Sequence, residues 1–198
     1  MTPQELDDFR HALAFAARLH ATQVRKETDI PYISHLIAVA GIVMEQGGSR
    51  DEAIAALLHD SLEDQADRYE GGAARLRRDI REHFGGAVLE IVEACTDGVA
   101  GCKPEWRQRK QDYLDHLQGA SPSVRLVSCA DKLHNARAIV GDLRVVGDSL
   151  WNRFKGGREG SLWYYRALAD EFVRGGPPHL ADELDRAVCE MERLAASR

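Results

Sequence analysis

Residues 57–64 read Leu-Leu-His-Asp-Ser-Leu-Glu-Asp, and the interpretation of the whole chain starts from this stretch. An apolar helical pattern is followed directly by a histidine and an aspartate, and then by two more acids. Neighbouring residues on a helix diverge by about 100°, so His59 and Asp60 can flank one ion near a helix terminus. A solvated helix end would explain the acids alone, but it explains the His-Asp pair poorly. The stretch therefore favours a metal site.

Glu63 lies four residues after His59, which on a continuous helix is the same face one turn further along. This spacing predicts a carboxylate beside the metal that is not needed as a ligand. Such a position suits general acid–base chemistry.

One dyad does not hold a metal tightly, so we expect further ligands at His35 and Asp131. His35 opens a predicted helix, although a lone histidine at such a place is more often structural. Asp131 follows the apolar pair Leu126-Val127, and an inward-facing carboxylate there would be costly to bury without a cation. Asn135 lies one turn beyond Asp131 and can reach a substrate or orient a ligand.

Two imidazoles and two carboxylates form a mixed nitrogen and oxygen ligand set. This set suits Mn, Fe, Zn or Ni better than Ca or Mg. Four protein ligands leave room for chemistry only if the ion takes five or six ligands, which favours an octahedral ion over closed tetrahedral zinc.

The rest of the chain has helical spacing of apolar residues, without strand-like alternation or repeats, so we predict an all-α class. Residues 141–160 are rich in glycine and charge and are expected to be partly loop. An apolar stripe on the last helix predicts packing on the body of the protein, with a dimer contact as the alternative. The first predicted helix begins at Thr2-Pro3, and the last begins after Pro177-Pro178. Between them we predict helices over 35–46, 50–63, the segment between Gly72 and Gly85, 87–95, 105–118, 122–138 and 161–174.

Composition places further bounds on function. The chain has 198 residues, 44% of them hydrophobic, and a formal charge of −6, which fits one ordinary domain. An acidic balance argues against coating a nucleic-acid backbone, but a small phosphorylated substrate stays possible.

No apolar run approaches the ~20 residues of a membrane span, and the first residues do not resemble a signal peptide. The four cysteines form no CxxC pair, so we expect free thiols and a cytoplasmic protein.

The order His, His-Asp, Asp with Glu63-Asp64 after the dyad resembles the HD-domain phosphohydrolases. More narrowly, the chain resembles the hydrolase domain of the RelA/SpoT proteins and the stand-alone small alarmone hydrolases. The resemblance covers residues 20–138 and suggests a single HD-type helical bundle over residues 1–198, with a C-terminal helical extension at 161–196. The motifs that carry it are His20-x-x-Gln23-x-Arg25-Lys26, Pro31-Tyr32-Ile33-x-His35, Leu57-Leu58-His59-Asp60, Glu63-Asp64 and Ala130-Asp131-Lys132-Leu133-His134-Asn135.

This resemblance implies a manganese-dependent hydrolase that removes the 3′-diphosphate of guanosine tetra- or pentaphosphate, using one ion. Other divalent transition metals remain possible. The implied roles are metal binding by His35, His59, Asp60 and Asp131, water activation by Glu63 and Asp64, and substrate binding by Arg25, Lys26 and Asn135. The planar guanidinium of Arg25 can stack on a purine, whereas Arg25-Lys26 could also be a solvated basic pair.

Some residues depart from the family pattern. The family's long proteins commonly have a glycine shortly after the Arg-Lys pair and a proline directly after the first metal histidine, where this chain has Glu27-Thr28-Asp29 and Leu36. Many members also have a threonine three residues past the asparagine, where this chain has Ala138. These departures leave the choice between guanine and adenine open. The basic run 106–110 could reach distal phosphates of the substrate or form a solvated helix face. The aromatic residues 163–165 could cover the site or pack in the core.

Two other functions stay open. One is an HD phosphohydrolase for another nucleotide, such as an adenosine alarmone, a 5′-monophosphate or the 2′-phosphate of NADPH. The other is a non-catalytic nucleotide-binding module. We expect hydrolysis without synthesis and no nucleic-acid or membrane partner, and the sequence does not reveal the oligomeric state.

Overall fold

The computed structural model describes residues 1–96 and 105–197, which are helical apart from turns and one isolated bridge between Val24 and Pro31. The chain divides into two compact units, Met1–Cys102 and Lys103–Arg198. The first contains α1 Pro3–Leu19, α2 Ile33–Glu45, α3 Arg50–Leu58, α4 Ser61–Asp64, α5 Gly72–Phe84 and α6 Gly86–Cys95. The second contains α7 Trp106–Gln118, α8 Pro122–Val146, a 3₁₀ segment Gly147–Arg153, α9 Gly157–Gly175 and α10 Pro178–Ala196.

Helix α3 is the core of the first unit and packs against α1, α2 and α6. Its residues from Ala53 to Leu58 are each 0% exposed. A helix that is apolar on every side is stable only when other elements surround it. The end of α3 is therefore fixed inside the unit.

The prediction of one helix over 50–63 is wrong, because α3 ends at Leu58 and the short α4 begins at Ser61. The ring nitrogen Nδ1 of His59 lies 2.9 Å from the carbonyl oxygen of Ala56. A continuing helix would use that oxygen as the acceptor for the Asp60 N–H, and a side chain that bonds it competes with the helix. His59 and Asp60 consequently lie at the junction between two helices.

Two helix starts match the sequence pattern. Thr2 and Glu5 form a capping box at α1, with Pro3 in the first turn. Ser49 and Glu52 form a second capping box at α3, as predicted. These reciprocal hydrogen bonds fix where α1 and α3 begin.

A compact loop joins α1 to α2. The Arg25 N–H donates to the Ile30 carbonyl at 2.8 Å, and the Tyr32 N–H donates to the Gln23 carbonyl at 2.9 Å. Glu27 adopts a φ of 55°, the left-handed region that favours glycine. The backbone hydrogen bond of Arg25 to Ile30 fixes the position of Arg25 in this turn.

In the second unit α10 packs against α8 and α9, and Leu184, Val188 and Met191 are fully buried there. The apolar stripe on the last helix therefore packs on the body, as predicted. Helix α8 runs to Val146, beyond the predicted end at 138, and the 3₁₀ segment follows it. The expected loop over 141–160 is thus mostly helical.

Cys95, Cys129 and Cys189 are free thiols, while Cys102 lies outside the described residues. Over residues 1–96 and 105–197, none of the helices combines the length and the apolar character that crossing a bilayer requires.

Candidate metal centre and active site

Two buried histidines of the first unit face each other. His35, in the first turn of α2, is 0% exposed, and His59, at the end of α3, is 2% exposed. Their ring centroids are 5.3 Å apart, with the rings inclined at 67°. The carbonyl oxygen of Ala56 can only accept a hydrogen bond, so we assign the proton of His59 to Nδ1. The lone pair of His59 is then on Nε2.

The carboxylate of Asp60 meets both imidazoles. Its Oδ2 lies 3.0 Å from His59 Nε2 and 3.6 Å from His35 Nε2. Tyr32 donates its hydroxyl proton to the same oxygen at 2.5 Å. A carboxylate oxygen only accepts, and the tautomer assigned to His59 leaves its Nε2 an acceptor as well, so a cation bound between these two atoms would satisfy both. These three donor atoms fit a divalent transition metal.

Asp131 lies in α8 of the second unit and is 5% exposed. Its Oδ1 accepts from the Asn135 amide at 2.6 Å, and its Oδ2 pairs with Lys132 Nζ at 2.6 Å. Burial lowers the pKa of Lys132, but the Asp131 carboxylate outweighs it and the pKa ends well above its usual range. The sequence predicted a buried carboxylate here and the structure provides one, together with an amide that orients it.

The two acids after the dyad have different surroundings. Glu63 is half-buried in α4, and Asp64 ends that helix. Asp64 is exposed at the end of α4, yet desolvation by the surrounding protein raises its pKa, and the neighbouring Asp60 carboxylate raises it further. A carboxyl group with a raised pKa holds a proton more readily, which suits a group that exchanges protons with water.

Asp64 is held by a chain of side-chain hydrogen bonds. Gln23 Nε2 donates to Asp64 Oδ2 at 2.7 Å, and the Oε1 of the same amide lies 2.7 Å from His20 Nδ1. Gln65 Nε2 also donates to Gln23 Oε1. Because a carboxylate accepts, the Gln23 amide nitrogen must face Asp64, and His20 Nδ1 must carry a proton. Burial lowers the pKa of His20, which keeps this imidazole neutral.

Arg25 lies next to this group in the loop before α2. Its Cζ is 5.9 Å from the centroid of the Tyr32 ring, and that ring stacks on His20 at 5.4 Å. The next residue, Lys26, is exposed. Arg25 therefore places its cation beside the stacked rings of Tyr32 and His20.

A family model described as the HD domain matches residues 12–161. The chain belongs to the HD domain family.

Named relatives and a solved structure agree with this assignment. The chain is 36% identical over 167 residues to guanosine-3′,5′-bis(diphosphate) 3′-pyrophosphohydrolase MESH1 of Xenopus tropicalis, covering 83% of this chain and 82% of that protein. It is 38% identical over 129 residues to the Homo sapiens protein of the same name, covering 64% and 66%. A solved structure described as a metazoan orthologue of SpoT that hydrolyses ppGpp matches with a TM-score of 0.73 and 27% identity, over 92% and 94% of the two chains.

Within this HD domain, the residues that sequence reasoning missed are those that hold others in place. Tyr32, His20 and Gln23 belong to motifs that pointed to the family, but no role followed from them. Lys132 likewise belongs to a quoted motif without a role, and Gln65 carried no signal beyond its place next to an acid. Their partners lie up to 45 residues away in the chain, which no local pattern reveals.

The basic and aromatic residues of the second unit interact with one another. Arg107 Cζ lies 3.7 Å from the Trp163 ring centroid, and Lys110 Nζ lies 4.8 Å from that of Tyr164. Tyr164 is 6% exposed and so belongs to the core. Trp106 packs directly over Gly156, where a Cβ would approach the indole within 2.5 Å. These contacts favour a packing role for the aromatic residues.

Proposed function

We propose that this chain hydrolyses guanosine 3′,5′-bis(diphosphate) and related alarmones, releasing diphosphate from the 3′ position. The relative from Xenopus tropicalis carries that activity in its name and aligns over more than four fifths of both chains. The observation that carries the proposal is the contact of Asp60 Oδ2 with two buried imidazoles, because a divalent cation bound there would satisfy all three groups.

His35, His59, Asp60 and Asp131 are the proposed metal ligands, and Mn²⁺ is the proposed ion. Support for the first three is their mutual approach in the first unit. Support for Asp131 is a buried carboxylate that Asn135 orients, and a family match that runs from residue 12 in the first unit to residue 161 in the second. When bound, a divalent ion supplies Lewis acidity that activates water and offsets phosphate charge. We infer on the same ground that the two units form one HD-type domain over 1–198.

Glu63 and Asp64 are the proposed groups that position the attacking water and take up its proton. The water oxygen forms a bond to phosphorus, the bond from phosphorus to the ribose 3′ oxygen breaks, and that oxygen receives a proton. Asp64 is supported in this role by its raised pKa and by the amide that fixes its carboxylate. Tyr32 holds Asp60 in place while the charge on phosphate changes.

Arg25, Lys26 and Asn135 are the proposed substrate-binding residues. The guanidinium carbon of Arg25 lies 5.9 Å from the centre of the Tyr32 ring, and a planar guanidinium can stack on a purine. Lys26 is exposed and can meet phosphate as a point charge. The Asn135 amide already donates to Asp131, so its contribution includes holding that carboxylate.

Purified protein with a panel of nucleotides, with and without Mn²⁺, tests the proposal. Release of diphosphate from guanosine 3′,5′-bis(diphosphate), dependent on metal, is the expected result. Turnover only of NADPH or of 5′-monophosphates would replace the proposal with another phosphohydrolase. Tight nucleotide binding without turnover on any substrate would replace it with a binding module.

A further inference from the structure

The first unit contains a cleft between α1, α5 and the turn at 65–70, with a volume of about 510 Å³. Phe15 and Leu19 line it with apolar surface. Ligand pockets commonly span about 300–1,000 Å³ and combine apolar walls with a few polar groups. None of the described residues that line the cleft is a proposed metal ligand, a proposed catalytic acid or part of the Arg25-Lys26 pair.

Two arginines line the cleft, Arg18 from α1 and Arg68 from the turn. Among the described residues neither guanidinium has an ion-pair partner, although the chain has 32 acidic and 26 basic residues. Elsewhere in this protein arginines face carboxylates directly, as Arg144 faces Glu190 at 3.0 Å. Glu70 is the one acid among the described lining residues. Each guanidinium offers two parallel N–H donors, an arrangement that matches the oxygen atoms of a phosphate group.

Aromatic rings form the remaining wall. The Tyr69 hydroxyl donates to Asp79 Oδ2 at 2.7 Å, and Arg75 Nε donates to Asp79 Oδ1 at 2.7 Å. Burial, and then the bond to Asp79, raises the pKa of Tyr69, so its phenol remains a donor. These bonds fix the Tyr69 ring. His83 also lines the cleft, and its ring contacts that of Phe15, with the two centroids 6.1 Å apart. A planar ring can lie against such walls.

We propose that this cleft is a second ligand site of the protein, and that it binds a nucleoside phosphate. The base would lie against the aromatic wall, and the phosphate would accept hydrogen bonds from Arg18 and Arg68.

The same cleft reaches the proposed catalytic acid through one side chain. Gln65 lines the cleft, is 6% exposed and donates to Gln23, which in turn donates to Asp64. A ligand that moves Gln65 changes how firmly Gln23 holds Asp64. We therefore expect occupancy of the cleft to alter the rate of hydrolysis, an expectation that rests on the proposed function, whereas the binding itself does not.

Calorimetric titration with GMP tests the binding, with chelator present and in an Arg25→Ala/Lys26→Ala background that weakens the proposed substrate site. We expect GMP to bind this protein, and the added pair Arg18→Gln/Arg68→Gln to weaken that binding at least tenfold, as expected for losing charge-assisted bonds. Arg78→Gln/Arg81→Gln is the matched control, since both residues are exposed, lie on α5 and remove the same charge. The proposal would be overturned if both pairs of substitutions weakened GMP binding equally, or if neither pair weakened it.

Hydrolysis assays with added GMP test the coupling. In the otherwise unchanged protein GMP should change kcat, and Arg18→Gln/Arg68→Gln should remove that change while leaving the rate without GMP intact. An identical response to GMP in both proteins would overturn the coupling. If neither protein hydrolyses the alarmone, the proposed function fails, and the calorimetric result on the cleft still stands.

Discussion

The amide of Gln23 links three side chains around the proposed active site. It donates to Asp64 and accepts from His20 and Gln65, so the orientation of one amide fixes the protons of its neighbours. The motif that includes His20 and Gln23 is visible in the sequence, but the bond from Gln23 to Asp64 spans 41 residues. A sequence pattern identifies such residues without showing what they hold.

Replacing Gln23 with methionine keeps the length of the side chain and removes the donor to Asp64. A hydrogen bond to a charged group contributes about 1.5–3 kcal/mol, so we expect kcat to fall about 10- to 100-fold with little change in KM. Steady-state kinetics measure this. In an Asp64→Asn background the same replacement should have little further effect, because both changes act on one group. Independent, additive losses would contradict the account.

Glu27 is the residue with strained backbone in the loop that carries Arg25. A left-handed φ costs a residue with a Cβ about 1–2 kcal/mol relative to glycine. Glu27→Gly should therefore be about 1 kcal/mol more stable than Glu27→Ala in urea unfolding, since both variants lack the carboxylate. An alanine variant as stable as the glycine variant would show that φ is not held at this value.

Helix α3 is buried on every side from Ala53 to Leu58, and it ends next to the proposed metal ligands His59 and Asp60. Its start was predictable from Ser49 and Glu52, since a capping box is a local signal. Its end was not predictable, because it depends on a hydrogen bond from the His59 side chain to the Ala56 carbonyl, which the sequence pattern does not show. The same holds for α8, whose extension to Val146 depends on packing against α10.

Removing packing from α3 tests its central position. Leu57→Ala should cost about 2–5 kcal/mol of unfolding free energy, as expected for a leucine that is 0% exposed. Leu6→Ala is the control, since Leu6 is 53% exposed and its loss should cost well under that amount. Equal losses in urea unfolding would show that α3 is not enclosed.

The ion pairs of Glu190 with Arg193 on α10 and with Arg144 on α8 give a pH dependence. Hydrogen bonds from Arg193 and then Arg144 lower the pKa of Glu190 from 4.5 to about 2. A lowered acid pKa stabilises the folded state fully above pH 4.5 and loses this effect as the pH falls through about 2. Glu190→Gln should therefore lower Tm at pH 7, and the difference should vanish near pH 2. A difference that persists at pH 2 would contradict this assignment.

At the scale of the whole molecule, the HD domain family assignment spans residues 12–161, whereas the chain packs as two compact units. The all-α class and the family were predictable, since helical periodicity and the His, His-Asp, Asp order both lie in the sequence. The division into units was not predicted, because no change of composition marks it. The first unit carries three of the proposed ligands and the second unit carries Asp131.

Asp131→Asn tests whether the second unit takes part in metal binding. The variant keeps the shape of the side chain but removes its charge, so we expect metal content after dialysis to fall at least tenfold. Asp115→Asn, at an exposed residue of α7, is the control and should keep its metal. Full metal content in Asp131→Asn, measured by elemental analysis, would remove Asp131 from the ligand set.

The most direct measurement follows diphosphate release from guanosine 3′,5′-bis(diphosphate) by protein that has been stripped with a chelator and then reloaded with Mn²⁺. The account predicts no release by the stripped protein, release of diphosphate from the 3′ position after reloading, and no recovery in His59→Ala. Release at the same rate without metal, or no release after reloading, would contradict it.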